Sequence, residues 1–295
     1  MRKGWLFILL IAVLPLGCKS EEGPPGPVVV GSKNFTESVI LGEMLAQTTE
    51  RAGCEVDRKL NMGGTFVVDR GLRTGSVDTY VEYSGTALTA ILDHEPRERR
   101  EAIRRLIRNE YDDASLVWGP PLGFENTFAI IVRKRSAEEY DLSTITDLQR
   151  VDEFFQPGFG YEFGDRQDGW DGLLDTYRLS FEKPAKTMDL GLTYRALAEG
   201  ELDVIAGNST DGLIEHLDLV VLEDDRDYFP PYDAVIVYRK DLSAKCPSAI
   251  SAYEALRKSL DERTMRRLNY EVDGEHRDVS EVVSEFLAGT RTAER

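Results

Sequence analysis

The sequence predicts an α/β protein of two lobes with a cleft between them. Three observations carry that expectation. From Val28 onward, short apolar runs of strand type alternate with stretches of helical apolar spacing, the pattern of a mostly parallel sheet covered by helices. The alternation restarts at Thr127, which implies a second α/β lobe. Residues 28–295, about 268 in all, suffice for two medium-sized cores.

The elements follow in order. "MRKGWLFILLIAVLPLGCKS" places Arg2 and Lys3 ahead of an apolar run from Trp5 to Leu16, then Gly17 and Cys18, which is an export signal. The run is short of the roughly 20 residues that span a bilayer, so no permanent membrane helix is expected there. Its Leu-Gly-Cys ending resembles a bacterial lipobox, with Pro15 standing where that motif usually has leucine. Residues 1–18 are therefore expected to be a lipoprotein signal with Cys18 as the lipidated residue. The alternative is an ordinary cleaved signal with an incidental cysteine. Residues 19–27, rich in Pro, Gly and charge, read as a flexible tether.

"VVVGS" then reads as a buried strand, and "TESVILGEMLAQTTERAG" as a helix capped by Thr36 and ended by Gly53. "EVDRKLN" alternates like a strand, "TFVVDRGLRTG" is a helix stopped by Gly75, and "VDTYVEY" is a strand. The basic stretch "PRERREAIRRLIRNEY" reads as a helix with a solvated face. After Thr127 come the strand "TFAIIVRK", the helices "DGWDGLLDTYRL" and "LTYRALAEGE", and the strands "LDVIAGN", "DLVVLEDD" and "AVIVYRK". Three helical stretches from Pro247 to Leu287 complete the chain. The first lobe is expected to comprise residues 28–126 and 232–295, and the second residues 127–231.

The formal net charge of −17 argues against nucleic acid, whose phosphates need a basic face. It suits cationic solutes, and plain solubility accounts for it equally well. Cys54 and Cys246 could pair in an exported protein or remain buried thiols, and their spacing does not decide. His94, His216 and His276 lack metal-ligand spacing and an evident nucleophile partner. The acids of "DRQDGWDGLLD" miss the calcium-loop pattern and read as a solvated helix start. With no Gly-Lys-Ser/Thr phosphate loop either, no catalytic or cofactor-binding role is expected.

Ligand sites in such folds lie in loops beyond the carboxyl ends of strands. Those loops hold Lys33, Tyr83, Thr86, Phe128, Arg166, Asn208 and Tyr232. Ring faces recurring beside two cations suit a small zwitterion: rings around a positive group, Lys33 and Arg166 on a negative one. In "DDRDYFPPYDAV", Pro230 and Pro231 are expected to stiffen the loop that carries Tyr232. A Tyr232→Phe change would keep the ring face and should then be mild.

"VGSKNFTESVILGEML", "YVEYSGTALTAIL", "PLGFENTFAI", "STDG" and "DLVVLEDDRDYFPPYDAV" closely resemble the glycine betaine/choline/carnitine-binding proteins of osmoprotectant ABC importers, over about Val28 to Leu287. The resemblance implies a type II periplasmic-binding-protein fold, a quaternary ammonium ligand held between the lobes, and delivery by a monomer to a membrane permease with a separate ATPase. The protein would then be exported and face the periplasm or cell exterior on a lipid anchor. Carried over by motif, Tyr83, Phe128 and Tyr232 look like cage walls, and Lys33, Thr86 and Arg166 like a carboxylate clamp. Relatives often have tyrosine in place of Phe128, and often tyrosine just before "STDG", where this chain has Asn208. The competing readings are a binder of another cationic solute or amino acid, and a tethered scaffold without a small ligand.

Overall fold

The computed structural model describes residues 26–94 and 100–293, so Cys18 and the signal segment lie outside the described residues. Two five-stranded sheets organise the chain, in the orders β2-β1-β3-β10-β4 and β7-β6-β8-β5-β9. The first holds β1 (Val28–Gly31), β2 (Val56–Lys59), β3 (Thr79–Tyr83), β4 (Leu116–Glu125) and β10 (Asp233–Arg239). The second holds β5 (Phe128–Arg133), β6 (Pro157–Gly160), β7 (Lys186–Met188), β8 (Val204–Asn208) and β9 (Leu219–Val221). The sheets define a first and a second lobe.

Both sheets are mixed, not mostly parallel. β1 pairs parallel with β2 and β3, whereas β10 runs antiparallel to β3 and β4. In the second lobe β6 pairs parallel with β7 and β8, and β5 antiparallel with β8 and β9. The reversal follows from connectivity: β5 and β10 enter their sheets by crossing from the other lobe instead of through a helical crossover. Apolar spacing shows that a strand is buried and leaves its direction open. β4 was not foreseen because Pro120 and Pro121 interrupt its run, and it sits at the sheet edge, where prolines are tolerated.

Burial on both sheet faces explains the uninterrupted apolar runs. Along β5, Ile130 and Val132 pack into one cluster and Ala129 and Ile131 into the opposite one. Along β10, Ala234, Ile236 and Tyr238 face the helix Thr36–Arg51, while Val235 and Val237 face the cluster of Val68, Leu72 and Ile103.

Several local expectations change. Phe35, not Thr36, is the N-cap of the helix Thr36–Arg51, without a side-chain cap. The Thr36 hydroxyl instead donates to Asp273 Oδ1 at 2.7 Å, drawn by a carboxylate on a neighbouring helix. The segment after β3, read as a loop, turns at once into helix at Ser84–Thr86 and a wide turn over Ala87–Ile91. The stretch before Arg166 is likewise the short helix Tyr161–Asp165. Cys54 and Cys246 form a disulfide, with Cα atoms 6.2 Å apart, that ties the end of the Thr36–Arg51 helix to the start of the helix Pro247–Ala255.

Candidate functional site

All seven residues singled out from the sequence line one cavity of about 110 Å³ between the two sheets. The first lobe contributes Lys33 just beyond β1, Tyr83 at the end of β3, Thr86 in the short helix that follows, and Tyr232 just before β10. The second contributes Phe128 at the start of β5, Arg166 after the short helix, and Asn208 at the end of β8.

Lys33 and Arg166 are both buried and both already paired. Lys33 Nζ meets Glu82 Oε1 at 2.5 Å, with each side chain almost wholly withdrawn from solvent. Glu82 also accepts from Tyr80 Oη at 3.0 Å and from the Tyr83 amide at 2.7 Å. Burial pushes its carboxyl above the ordinary range, and Lys33 pulls against that shift. Arg166 grips Asp168 with two N–H groups, Nε to Oδ1 at 2.8 Å and Nη2 to Oδ2 at 2.6 Å. Burial works against the guanidinium's charge, but the Asp168 carboxylate beside it holds its pKa above the ordinary value.

Asp168 corrects the sequence reading directly, since it has no solvent exposure and is not part of a solvated helix start. Its carboxylate also accepts from the Tyr232 hydroxyl and lies 2.8 Å from Thr89 Oγ1, both in the first lobe. Arg166 adds longer contacts to Thr86 Oγ1 at 3.3 Å and Thr89 Oγ1 at 3.4 Å. Thr86, expected to hold ligand, is thus also an acceptor for Arg166. Buried ion pairs of this kind hold the cations in place, and N–H groups not spent on the partner remain for another acceptor.

The rings form a connected array. Phe128 lies 5.7 Å from Tyr232, 4.8 Å from Phe163 and 5.9 Å from Phe229, centroid to centroid. The Arg166 guanidinium sits 5.0 Å over Phe128, and Lys33 Nζ 5.3 Å from the Tyr83 centroid. Phe35 and Tyr161, the latter 64% exposed, extend the lining. Gly85 is required here, because a Cβ would run into the Tyr232 ring packed on its backbone.

Behind the rings, Glu37 was invisible to sequence reasoning because an acid in an amphipathic helix ordinarily faces water. It is buried and accepts four hydrogen bonds, from Tyr83 Oη at 2.6 Å, Asn126 Nδ2 at 2.9 Å, Thr210 Oγ1 at 2.5 Å and Asn269 Nδ2 at 3.1 Å. Burial raises its pKa while these four donors lower it. Since Thr210 follows β8, Glu37 also ties the lobes together. A second tie joins Glu162 to the helix Thr65–Thr74, whose first amide donates to Oε1 at 2.5 Å. There the carboxylate meets the positive end of the helix.

The wall at Asn208 differs from the rest. Its backbone is held by Tyr194, whose hydroxyl accepts from the Asn208 amide at 2.7 Å. Its carboxamide has no hydrogen-bond partner among the described residues. Tyr194 is buried behind the wall and does not border the cavity, whereas Tyr161 does.

Residues 26–289 match the family model described as the substrate binding domain of ABC-type glycine betaine transport systems. The chain is 31% identical over 286 residues to the carnitine transport binding protein OpuCC of Listeria monocytogenes, covering 96% of this chain and 91% of that one. It is 32% identical over 289 residues to the ergothioneine transport permease/ergothioneine binding protein EgtU of Helicobacter pylori. That match covers 96% of this chain but 51% of the relative, so the chain spans about half that protein's length. A crystal structure of a glycine betaine/carnitine/choline ABC transporter superposes with a TM-score of 0.75 at 30% identity, over 90% of this chain and 98% of that one.

Proposed function

The chain belongs to the family of substrate-binding domains of ABC-type glycine betaine transport systems, and from that premise we propose that its cavity captures a quaternary ammonium zwitterion. The family consists of binding proteins, not enzymes, and the two-lobed fold is that of type II periplasmic binding proteins. One observation supports the ligand reading most: Tyr83, Phe128 and Tyr232 face the same cavity as two buried, prepaired cations.

A trimethylammonium group has no N–H to donate, so ring faces are its hosts, at about 0.5–2 kcal/mol each. The ligand's carboxylate takes the N–H groups that Lys33 and Arg166 do not spend on Glu82 and Asp168. Because those carboxylates fix both cations beforehand, little side-chain entropy is lost on binding. Residues 28–126 with 232–295 form one jaw and residues 127–231 the other. Cys18 carries the lipid that holds this monomer at the membrane surface, and the closed form is delivered to a permease driven by a separate ATPase.

A thermal-shift screen of the purified protein against glycine betaine, choline, carnitine, ergothioneine and a set of amino acids tests the reading. Quaternary zwitterions should raise the melting temperature, with choline, which has no carboxylate, giving less. Stabilisation by amino acids alone would contradict it.

A further inference from the structure

Beside the ring-lined cavity lies a second one of about 270 Å³, and the two share Asn34, Phe35, Asn126, Asp189, Leu190 and Asn208 in their walls. The second differs in chemistry. Among the described residues it is bordered by the carboxylates Glu37, Asp189, Asp211 and Asp273 and by no lysine, arginine or histidine. Among the described residues, the Asn208 and Asn34 carboxamides, which border both cavities, make no side-chain hydrogen bond.

Two further residues of its wall, Asn126 and Asn269, carry side-chain oxygens that are unmatched and withdrawn from the surface. Asn126 and Asn269 are 7% and 4% exposed, and both turn their amide nitrogens onto Glu37. A carboxylate only accepts, so this orientation is imposed, and each side-chain oxygen is left without a partner among the described residues. A buried acceptor without a donor costs free energy. Asp189 accepts from the Gly191 amide, Asp273 from the Thr36 hydroxyl, and Asp211 from the Leu213 amide with the Tyr194 hydroxyl also acting on it, so each keeps lone pairs to spare.

We propose that this second cavity is a subsite for the hydrogen-bond-donating tail of an elongated ligand, entered past Asn208. The inference rests on the reading of the first cavity as a quaternary ammonium site. It narrows the substrate class to zwitterions that carry, beyond the trimethylammonium and carboxylate, a neutral or cationic group with N–H or O–H donors, such as an azole ring. Compact glycine betaine fills the first cavity and leaves the second unused. A negatively charged tail is excluded by the carboxylates. Asn208 is then a selectivity residue: it leaves open the passage that a ring in its place would close.

The test is titration calorimetry with glycine betaine and histidine betaine, on the parent protein and on Asn208→Tyr, with thermal unfolding as a check on folding. The parent should bind histidine betaine at least tenfold tighter than glycine betaine. Asn208→Tyr should invert this, losing histidine betaine by tenfold or more and gaining glycine betaine severalfold. If that variant does not fold, Asn34→Ala replaces it and should weaken histidine betaine severalfold more than glycine betaine. Equal or tighter binding of glycine betaine by the parent, or equal effects of the substitution on both ligands, overturns the subsite while leaving the first cavity's assignment intact. Binding of neither compound, nor of choline or carnitine, overturns both.

Discussion

Two buried ion pairs border the same cavity and differ in what they join. Lys33–Glu82 lies wholly within the first lobe, with Lys33 beyond β1, Glu82 on β3, and Tyr80 and the Tyr83 amide as Glu82's further partners. Arg166–Asp168 belongs to the second lobe but also reaches the first, at Tyr232, Thr86 and Thr89. The first is therefore part of a jaw, and the second part of the clasp between jaws. Removing one partner of a buried pair strands the other charge and costs about 3–5 kcal/mol, but the two losses should be read in different experiments.

The largest expected effect is that of Lys33→Met. It leaves Glu82 buried and unpaired, so the ligand-free protein should lose about 3–5 kcal/mol of stability, seen as a lower denaturation midpoint. Glu82 already has a raised pKa, and without Lys33 it rises further. A carboxyl whose folded pKa is raised contributes stability that is lost as pH rises, so the deficit should grow toward alkaline pH. An unchanged midpoint would show that the pair is not structural.

Tyr232→Phe should come next, and here the structure revises the sequence expectation of a mild effect. The ring face survives, but Asp168 loses a hydrogen bond from the first lobe. Hydrogen bonds to charged groups are worth about 1.5–3 kcal/mol. Ligand affinity should fall tenfold or more by calorimetry, with the ligand-free midpoint moving less than in Lys33→Met. The reverse ranking would erase the distinction between jaw and clasp. Glu162→Gln, which weakens the contact to the helix Thr65–Thr74, should act in the same direction by about 0.3–1 kcal/mol, a few-fold at most in affinity.

A further effect concerns pH. Burial, with Asp273 and Glu37 adding repulsion against the pull of the Leu213 amide and the Tyr194 hydroxyl, pushes Asp211 up to about 7. Its folded pKa is raised, so stability should decline between about pH 4 and 7 and level off above. Asp211→Asn should flatten that decline in thermal unfolding at several pH values, and an identical slope in parent and variant would remove Asp211 from the account.

What was legible in the sequence is what a local pattern encodes. Apolar runs marked β1, β5, β8 and β10, and Gly75 and Gly200 marked helix ends, where both adopt the left-handed conformation. The seven cavity residues were legible through their motifs, although Phe128 opens β5 and Tyr232 precedes β10 where loops after strands were expected. What stayed hidden depends on long-range pairing: the direction of β10, the disulfide across 192 residues, and the burial of Asp168, Glu82 and Glu37. An acid is read as solvated until the structure brings a cation or several donors to it, and no spacing rule supplies those.

Ring faces in this cavity are proposed to select a quaternary nitrogen. Calorimetric titration of each quaternary zwitterion against its demethylated primary-amine counterpart, glycine betaine against glycine and histidine betaine against histidine, tests it most directly. The methylated member should bind at least tenfold tighter, since a primary ammonium loses its hydration without gaining acceptors among the rings. Equal affinity, or tighter binding of the primary amine, would contradict the claim and point to an amino-acid site.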